Sequence, residues 1–345
     1  MTTGDAAPGK LPGGSWRVAV RRAWHGFVRH RGIDAAAALT FFTALAALPA
    51  LLVLVSAFAF FDDRDRAAAD LAAVAATVLP DEAALDVERS LRELLSLENP
   101  GLALIAGIVL LLWTVSGYAT AFGRAMNTVY EVEEGRQFWT FRSRMLLVAI
   151  GLIVLQAGIV AILLVTPAAA DDIFGRRGLA PVVTTAWNWG KWPLLLVLLV
   201  LFAAVLYYFT PNVRHTRVRW VNVGSLSAIA IWIVATLGFA LYIVIAGHYD
   251  ALYGSLGGIV IALIWGYLTN AALIAGAELD AEFVRLRQLA RGEPAEELVR
   301  LPLRDSSRNR MLARQRDSDV AAARRIRKGV DQPADQGVDG ENAQR

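Results

Sequence analysis

The sequence predicts an all-α, polytopic membrane protein with six transmembrane helices and both termini in the cytoplasm. Six stretches of more than twenty residues contain no Asp, Glu, Lys or Arg, and about 20 apolar residues are enough to cross a bilayer core ~30 Å thick. None of these stretches alternates apolar and polar residues as a lipid-facing strand does. A helix, by contrast, satisfies the hydrogen bonds of every backbone amide within the segment. The distribution of basic residues then sets the orientation.

The basic residues are concentrated on the segments that this topology places inside the cell. These segments hold 27 of the 34 Lys and Arg residues, which is the asymmetry expected of cytoplasmic loops. Without the long C-terminal tail the ratio is still 13 to 7. Topology therefore accounts for the net charge of +3, and we expect no nucleic acid partner. The predicted location is the bacterial cytoplasmic (inner) membrane.

The elements follow from changes in composition along the chain. A Gly- and Pro-rich leader, 1–14, is expected to be disordered, and the helix that follows it, 15–33, is expected to lie in the membrane interface. The charged tail, 285–345, is expected to be largely disordered, with helical turns around 308–328. The membrane domain, 34–284, is predicted to comprise spans at about 35–61, 101–123, 145–170, 192–213, 220–247 and 251–277, with an outer helical hairpin at 62–100.

The first predicted helix is amphipathic. Trp16, Val20, Trp24 and Phe27 recur at helical spacing, and arginines lie between them. This pattern is typical of a helix that buries aromatic side chains in the headgroup layer and binds anionic lipid at the cytoplasmic face. Two roles remain open for it, an anchor for the first span and a regulatory lipid sensor.

Polar residues within apolar spans are the candidates for function, because each must be paired in lipid. Asn270 lies deep enough in the last span to need an internal partner. Glu278 lies near the inner end, where it either emerges into water or pairs with Arg124 or Arg136. Pro49 removes a backbone hydrogen bond within the first span.

Small residues recur every four positions along the last span, which lets a neighbouring helix approach closely. On a helix of 3.6 residues per turn, each step of four residues rotates the next small residue by ~40° about the helix axis. Only two or three of these small residues can therefore share one contact with a neighbouring helix. The predicted packing positions are Gly254, Gly258, Ala262 and Gly266.

No constellation for catalysis is recognisable in the sequence. The chain has no cysteine, and its four histidines are spread over separate segments. No ligand spacing for a metal and no phosphate-binding glycine loop is present. We therefore predict no catalytic residues, no metal and no cofactor.

A set of short motifs occurs in a characteristic order along the membrane domain. The motifs are Ala38–Leu51 (ALTFFTALAALPAL), Leu112–Arg124 (LWTVSGYATAFGR), Asn127–Tyr130, Arg136–Trp139, Pro211–Asn212, Tyr253–Gly257 and Gly276–Leu279. Together they resemble the YihY/BrkB family of bacterial inner-membrane proteins, and the resemblance covers roughly residues 22 to 285.

The resemblance implies six helices with both termini inside, and it adds candidate positions. Family members once carried the label ribonuclease BN, and others are linked to serum resistance or lipid export. Asp280 stands where the family usually has Asn, which puts a further carboxylate at the inner edge. The matching positions are Pro49, Trp113, Asn127, Tyr130, Arg136, Trp139, Pro211, Asn212, Tyr253, Gly254, Trp265, Gly276 and Glu278.

Three functions are compatible with these observations. The first is a transporter- or flippase-like protein for an envelope lipid or amphiphile, with membrane lipids as its partners. The second is a membrane scaffold or regulator that recruits partners through its cytoplasmic face. The third, a ribonuclease, lacks the clustered carboxylates or histidines that RNA hydrolysis needs. The sequence leaves open whether the protein forms a homo-oligomer.

Overall fold

The computed structural model describes residues 15–58, 89, 99–164, 180–214, 223–246 and 257–330. Within these residues the chain forms eight helices, which we number in order. They are α1 (Ser15–Arg29), α2 (Gly32–Phe58), α3 (Pro100–Val129), α4 (Phe138–Leu164), α5 (Ala180–Phe209), α6 (Val223–Ala246), α7 (Gly257–Ala290) and α8 (Ser307–Val330).

Six of the helices, α2 to α7, are long and apolar enough to cross a membrane, which confirms the predicted fold class. Each packs on the next, and α7 packs on α2, so that the six close into a ring. Contacts between α3 and α7 and between α3 and α5 cross the interior. The buried rings of Tyr118, Phe122 and Tyr207 stack there, with centroids 6.2 and 5.9 Å apart.

The helices α6 and α7 approach most closely where both carry small residues. A Cβ on Gly276 would lie 2.5 Å from the Cβ of Ala228 on α6, so a larger residue there would force the two helices apart. Gly266 is buried and faces Thr40 on α2. Ala262 is exposed, and the angular drift along the helix limits the shared contact to two or three of the four predicted positions.

The helix α1 lies against α7 and α2 through its small residues. Ala19, Ala23 and Gly26 are buried, whereas Trp16 and Trp24 are exposed to 57% and 65%. Trp16 and Trp24 therefore point away from the protein, as expected of a helix that borders lipid, whereas Phe27 is half-buried and packs against the hydrophobic core.

Residues 285–330 differ from the prediction of disorder for the tail, whose remaining part, 331–345, lies outside the described residues. α7 continues to Ala290, the segment 291–306 folds back onto the bundle, and α8 covers the range where helical turns were expected. The reason is that α7 side chains bind this segment: Arg285 donates to the carbonyls of Ala295 and Glu297 (3.0 and 2.9 Å). The predicted leader (1–14), most of the outer hairpin (62–100), Tyr253 and Gly254 lie outside the described residues.

Candidate functional site

One end of the bundle gathers most of its charged side chains, and we call it the polar end. It is formed by the last turns of α3, α5 and α7, the first turns of α2, α4 and α6, the helix α1 and the segment 291–306. Since an even number of spans separates α1 from α8, both ends of the described chain lie at this end of the bundle.

His30 occupies the corner between α1 and α2 and bridges two carboxylates. Its Nδ1 lies 2.8 Å from Glu278 Oε1 on α7, and its Nε2 lies 3.5 Å from Glu131 Oε1 after α3. Arg29 donates to the same Glu131 oxygen at 2.8 Å. Gly26 makes this approach feasible, because a Cβ there would lie 2.5 Å from Glu278 Oε2.

Backbone geometry positions both sides of this cluster. Arg31 and Glu131 each have φ of 54°, a left-handed conformation that non-glycine residues rarely adopt. Arg31 ends the turn between α1 and α2, and Glu131 ends the turn after α3. Oε2 of Glu131 is buried and has no hydrogen-bond partner among the described residues.

The pKa of His30 is raised above its ordinary value of 6.5. The hydrogen bond to Glu278 is the main cause, and it outweighs burial, which acts in the opposite direction. The protonated ring is the form that can donate to two carboxylates at once, so both contacts favour the charged imidazolium.

Glu278 therefore differs from both alternatives offered by the sequence. It is buried, with 3% exposure, and does not emerge into water. Its partner is His30 and neither Arg124 nor Arg136, since Arg136 is committed to Glu134. Another carboxylate one turn further along α7, Glu282, is bound by Arg22 of α1 at 3.0 Å.

Asp280 connects α7 to two other helices. Tyr130, at the end of α3, donates its hydroxyl to Asp280 Oδ2 at 2.9 Å, and the backbone N–H of Gly224 donates to Oδ1 at 3.2 Å. Gly224 is in the first turn of α6, where a negative charge is favoured by the unpaired amides and the helix dipole. The carboxylate at this position thus has a structural partner.

The structure brings together three residues that the resemblance singled out, Asn127, Arg136 and Asn212. Asn127 donates to Glu134 Oε2 at 2.8 Å and accepts from the backbone N–H of Asn212 at 2.8 Å. Arg136 donates to both oxygens of Glu134 (2.7 and 2.6 Å) and to the carbonyl of Thr210 (2.8 Å). These contacts join the ends of α3 and α5 to the loop before α4.

The same network reaches the segment after α7. Asn212 donates to the carbonyl of Asp305 at 2.8 Å, and its own carbonyl accepts from the backbone N–H of Arg304 at 3.1 Å. Arg304 also binds the carbonyls of Val213 and Tyr208. Its pKa is lowered, first by burial and further by repulsion from Arg136.

Asn270 is the polar residue that lies deepest in α7, and the predicted internal partner is confirmed. Its Oδ1 accepts from the hydroxyl of Tyr118 at 2.9 Å. Its Nδ2 donates to Thr40 Oγ1 (3.2 Å), Thr43 Oγ1 (3.4 Å) and the carbonyl of Gly266 (2.9 Å). Asn270 therefore ties α2 and α3 to α7 within the bundle.

Some predicted residues do not join these clusters, and some members were missed. Pro49 lies in the second half of α2, away from the polar end. His30, Glu131 and Glu134 were not proposed as members of a site. The only signal for His30 was indirect: a buried acid such as Glu278 requires a cation or a proton.

Comparison with known proteins gives consistent matches over the membrane domain. A family model described as "Virulence factor BrkB" matches residues 23–300. A "Putative ribonuclease-like protein YfkH" of Bacillus subtilis is 31% identical over 78% of this chain and 96% of that protein. A "UPF0761 membrane protein" of Laribacter hongkongensis is 27% identical over 75% of this chain and 59% of that protein. No solved structure matches.

Proposed function

Because the chain belongs to the virulence factor BrkB family, whose relatives include proteins named as membrane proteins, we propose that it acts on an envelope lipid or another amphiphile as a transporter- or flippase-like protein. Lipid is then both the medium that surrounds the protein and the class of molecule on which it acts. We place the polar end, and with it both chain termini, on the cytoplasmic side of the inner membrane, because that end carries most of the basic residues.

The observation that carries this proposal is a polar seam on the outer surface between α6 and α7. Trp232 Nε1 donates to Thr269 Oγ1 at 3.0 Å, and Trp265 Nε1 donates to Thr236 Oγ1 at 3.3 Å. Trp265 is 42% exposed, so these groups border the surrounding bilayer. Indole and hydroxyl groups can exchange their mutual hydrogen bonds for bonds to a lipid headgroup.

The surroundings of the seam favour an amphiphile over a hydrophilic solute. Exposed aliphatic side chains such as Val234, Leu237 and Leu263 lie on the same two helices, where acyl chains can remain in contact with lipid. The charged side chains of the described spans lie at the polar end, except Lys191 near the opposite end of α5. Asn270, deeper in the bundle, is occupied by its own helices. The outer surface is therefore the better route for a headgroup.

A lipid-movement assay tests the proposal. Purified protein in proteoliposomes should accelerate the transfer of a fluorescent phospholipid between leaflets relative to protein-free vesicles. The double variant Trp265→Phe with Thr269→Val should slow this transfer several-fold, because it removes one member of each polar pair. Trp189→Phe is the matched control, since Trp189 is also exposed (78%). Correctly oriented protein that produces no transfer above the protein-free rate would refute the proposal.

One observation favours a second candidate function, a scaffold or regulator that recruits partners. The helix α8 is charged and exposed at the polar end, as a protein-binding element would be. Deletion of α8 would abolish the cellular role of a scaffold and would leave lipid transfer by the spans intact. RNA cleavage is not part of the proposal.

A further inference from the structure

The helix α8 has an unusual environment for a helix of 24 residues. Every residue from Met311 to Gly329 is exposed, including the apolar side chains of Leu312 and Ile326 (44% and 70%). Helices in proteins gain most of their stability by packing an apolar face. α8 therefore presents a complete face that the described part of the chain does not cover.

The start of α8 is held at the level of the membrane surface. The N–H of Arg308 donates to the carbonyl of Gly135 at 2.8 Å, and a Cβ on Gly135 would overlap the carbonyl of Asp305. Gly135 comes just before α4, whose first residues, Phe138 and Trp139, are 67% and 79% exposed. Exposed aromatic residues at the end of a span mark the headgroup layer.

The charges of α8 are strongly unbalanced. The helix contains eight basic residues and two acidic ones, Asp317 and Asp319. With about 100° between successive residues, Leu312, Ala323 and Ile326 share one side. Asp319 lies on the same side, between Leu312 and Ile326, and Arg316 and Arg327 flank it. Other basic residues, Arg310, Arg314, Arg325 and Lys328, lie opposite that side.

From this placement and charge we infer that α8 lies on the membrane surface and binds acidic phospholipid headgroups. The side that carries Leu312, Ala323 and Ile326 faces the interface, where Asp319 lies next to Arg316, and the flanking arginines reach the phosphates. The excess of positive charge matches the negative surface potential of a leaflet rich in acidic lipid. The inference holds whether or not the protein moves lipid.

The absence of cysteine in the chain allows a direct test with the full-length protein. A single cysteine at Ile326 carries a polarity-sensitive fluorophore on the apolar side, and one at Ala321 carries it on the opposite side as the matched control. Each protein is placed, one copy per disc, in nanodiscs of phosphatidylcholine alone or with phosphatidylglycerol. Lipid-borne quenchers then report whether the fluorophore lies in the bilayer.

With acidic lipid, the probe at position 326 should shift to the blue and be quenched, and high salt should reverse both effects by screening. The control probe at 321 should stay in water. The double variant Arg316→Gln and Arg327→Gln, which removes the flanking arginines, should lose the shift while its circular dichroism still shows folded spans.

Several outcomes would overturn the inference. One is an aqueous probe in both kinds of disc. Another is equal burial of the probe in both kinds of disc that the double variant leaves unchanged, because acidic headgroups would then play no part. A shift seen only with two copies per disc would assign the face to a second copy. A shift on addition of DNA, or of a purified cytosolic protein, that acidic lipid does not produce would assign it to that partner.

Discussion

Replacement of Arg136 by Gln tests the network that joins α3, α5 and the loop before α4. Arg136 is fully buried and donates to both oxygens of Glu134 and to the carbonyl of Thr210. Removing one partner of a buried ion pair costs about 3–5 kcal/mol, because the other charge is left uncompensated. Since the side chain of Glu134 retains 17% exposure, we expect a value near the lower limit, about 3 kcal/mol.

The assay is equilibrium unfolding in mixed micelles of a mild detergent and sodium dodecyl sulfate, followed by tryptophan fluorescence. About 3 kcal/mol corresponds to roughly a hundredfold change in the unfolding equilibrium. The matched control is Arg314→Gln on the exposed surface of α8, which should lie within about 0.5 kcal/mol of the wild type. Arg136→Lys should recover only part of the loss, because an ammonium cannot bind both oxygens in the same plane.

A double-mutant cycle with Glu134→Gln measures the interaction energy between Arg136 and Glu134 separately from the contacts that each makes with the rest of the protein. Burial works to raise the pKa of the Glu134 carboxyl, but the hydrogen bonds and charge of Arg136 outweigh it and hold the pKa below 4.5. The pair therefore contributes stability above pH 4.5 and loses it as the pH falls through the lower, folded-state pKa. If Arg136→Gln cost less than about 0.5 kcal/mol, or the two changes were simply additive, the reasoning would be refuted.

The remaining predictions concern three other positions. The raised pKa of His30 means that its stabilising contribution is full below about pH 6.5 and is lost as the pH rises through the folded-state pKa; unfolding free energies should show a pH-dependent gap between the wild type and His30→Gln, and a constant gap would contradict this. Asn270→Leu removes hydrogen bonds to two other helices and should cost about 1–2 kcal/mol in the same micelles; an unchanged midpoint would show that these bonds add nothing. Gly276→Ala should lower the thermal midpoint, because overpacking costs about 1–3 kcal/mol, whereas Gly151→Ala, with open space around it, should not.

The number and positions of the spans were predictable because the bilayer imposes them. The length of an apolar run and the need to satisfy backbone amides leave a helix as the single solution. The ends of the helices were less predictable. The last span was expected to end at 277, yet α7 continues past Glu278, Asp280 and Glu282 to Ala290. Its carboxylates stay inside the protein because each finds a partner on another helix.

Those partners lie far away in the chain, which is why composition could not identify them. His30 and Glu278 are separated by 248 positions, and Asn127 and Asn212 by 85. For Asn270, depth alone predicted that a partner exists, but the sequence could not indicate Tyr118. The resemblance did place Asn127, Arg136 and Asn212 among the candidates, and the structure joins them in one network.

The fold of 285–306 was missed for a different reason. A charged segment with few apolar residues resembles a disordered tail in composition. Here it is held by side chains of α7 that bind its backbone: Gln288 donates to the carbonyl of Arg300 at 2.6 Å and accepts from its N–H at 3.1 Å. Because these hydrogen bonds are made to the backbone of the segment, they do not depend on its residue types. The composition of the segment therefore gives no sign of them.

The measurement that tests lipid handling most directly is native mass spectrometry of the protein purified in a mild detergent, with identification of the lipids that remain bound. We predict one lipid class retained in a fixed molar ratio, and reduced retention in the variant Trp265→Phe with Thr269→Val. A bound fraction with the composition of the bulk membrane, identical in that variant, would contradict the proposal that this protein acts on a lipid.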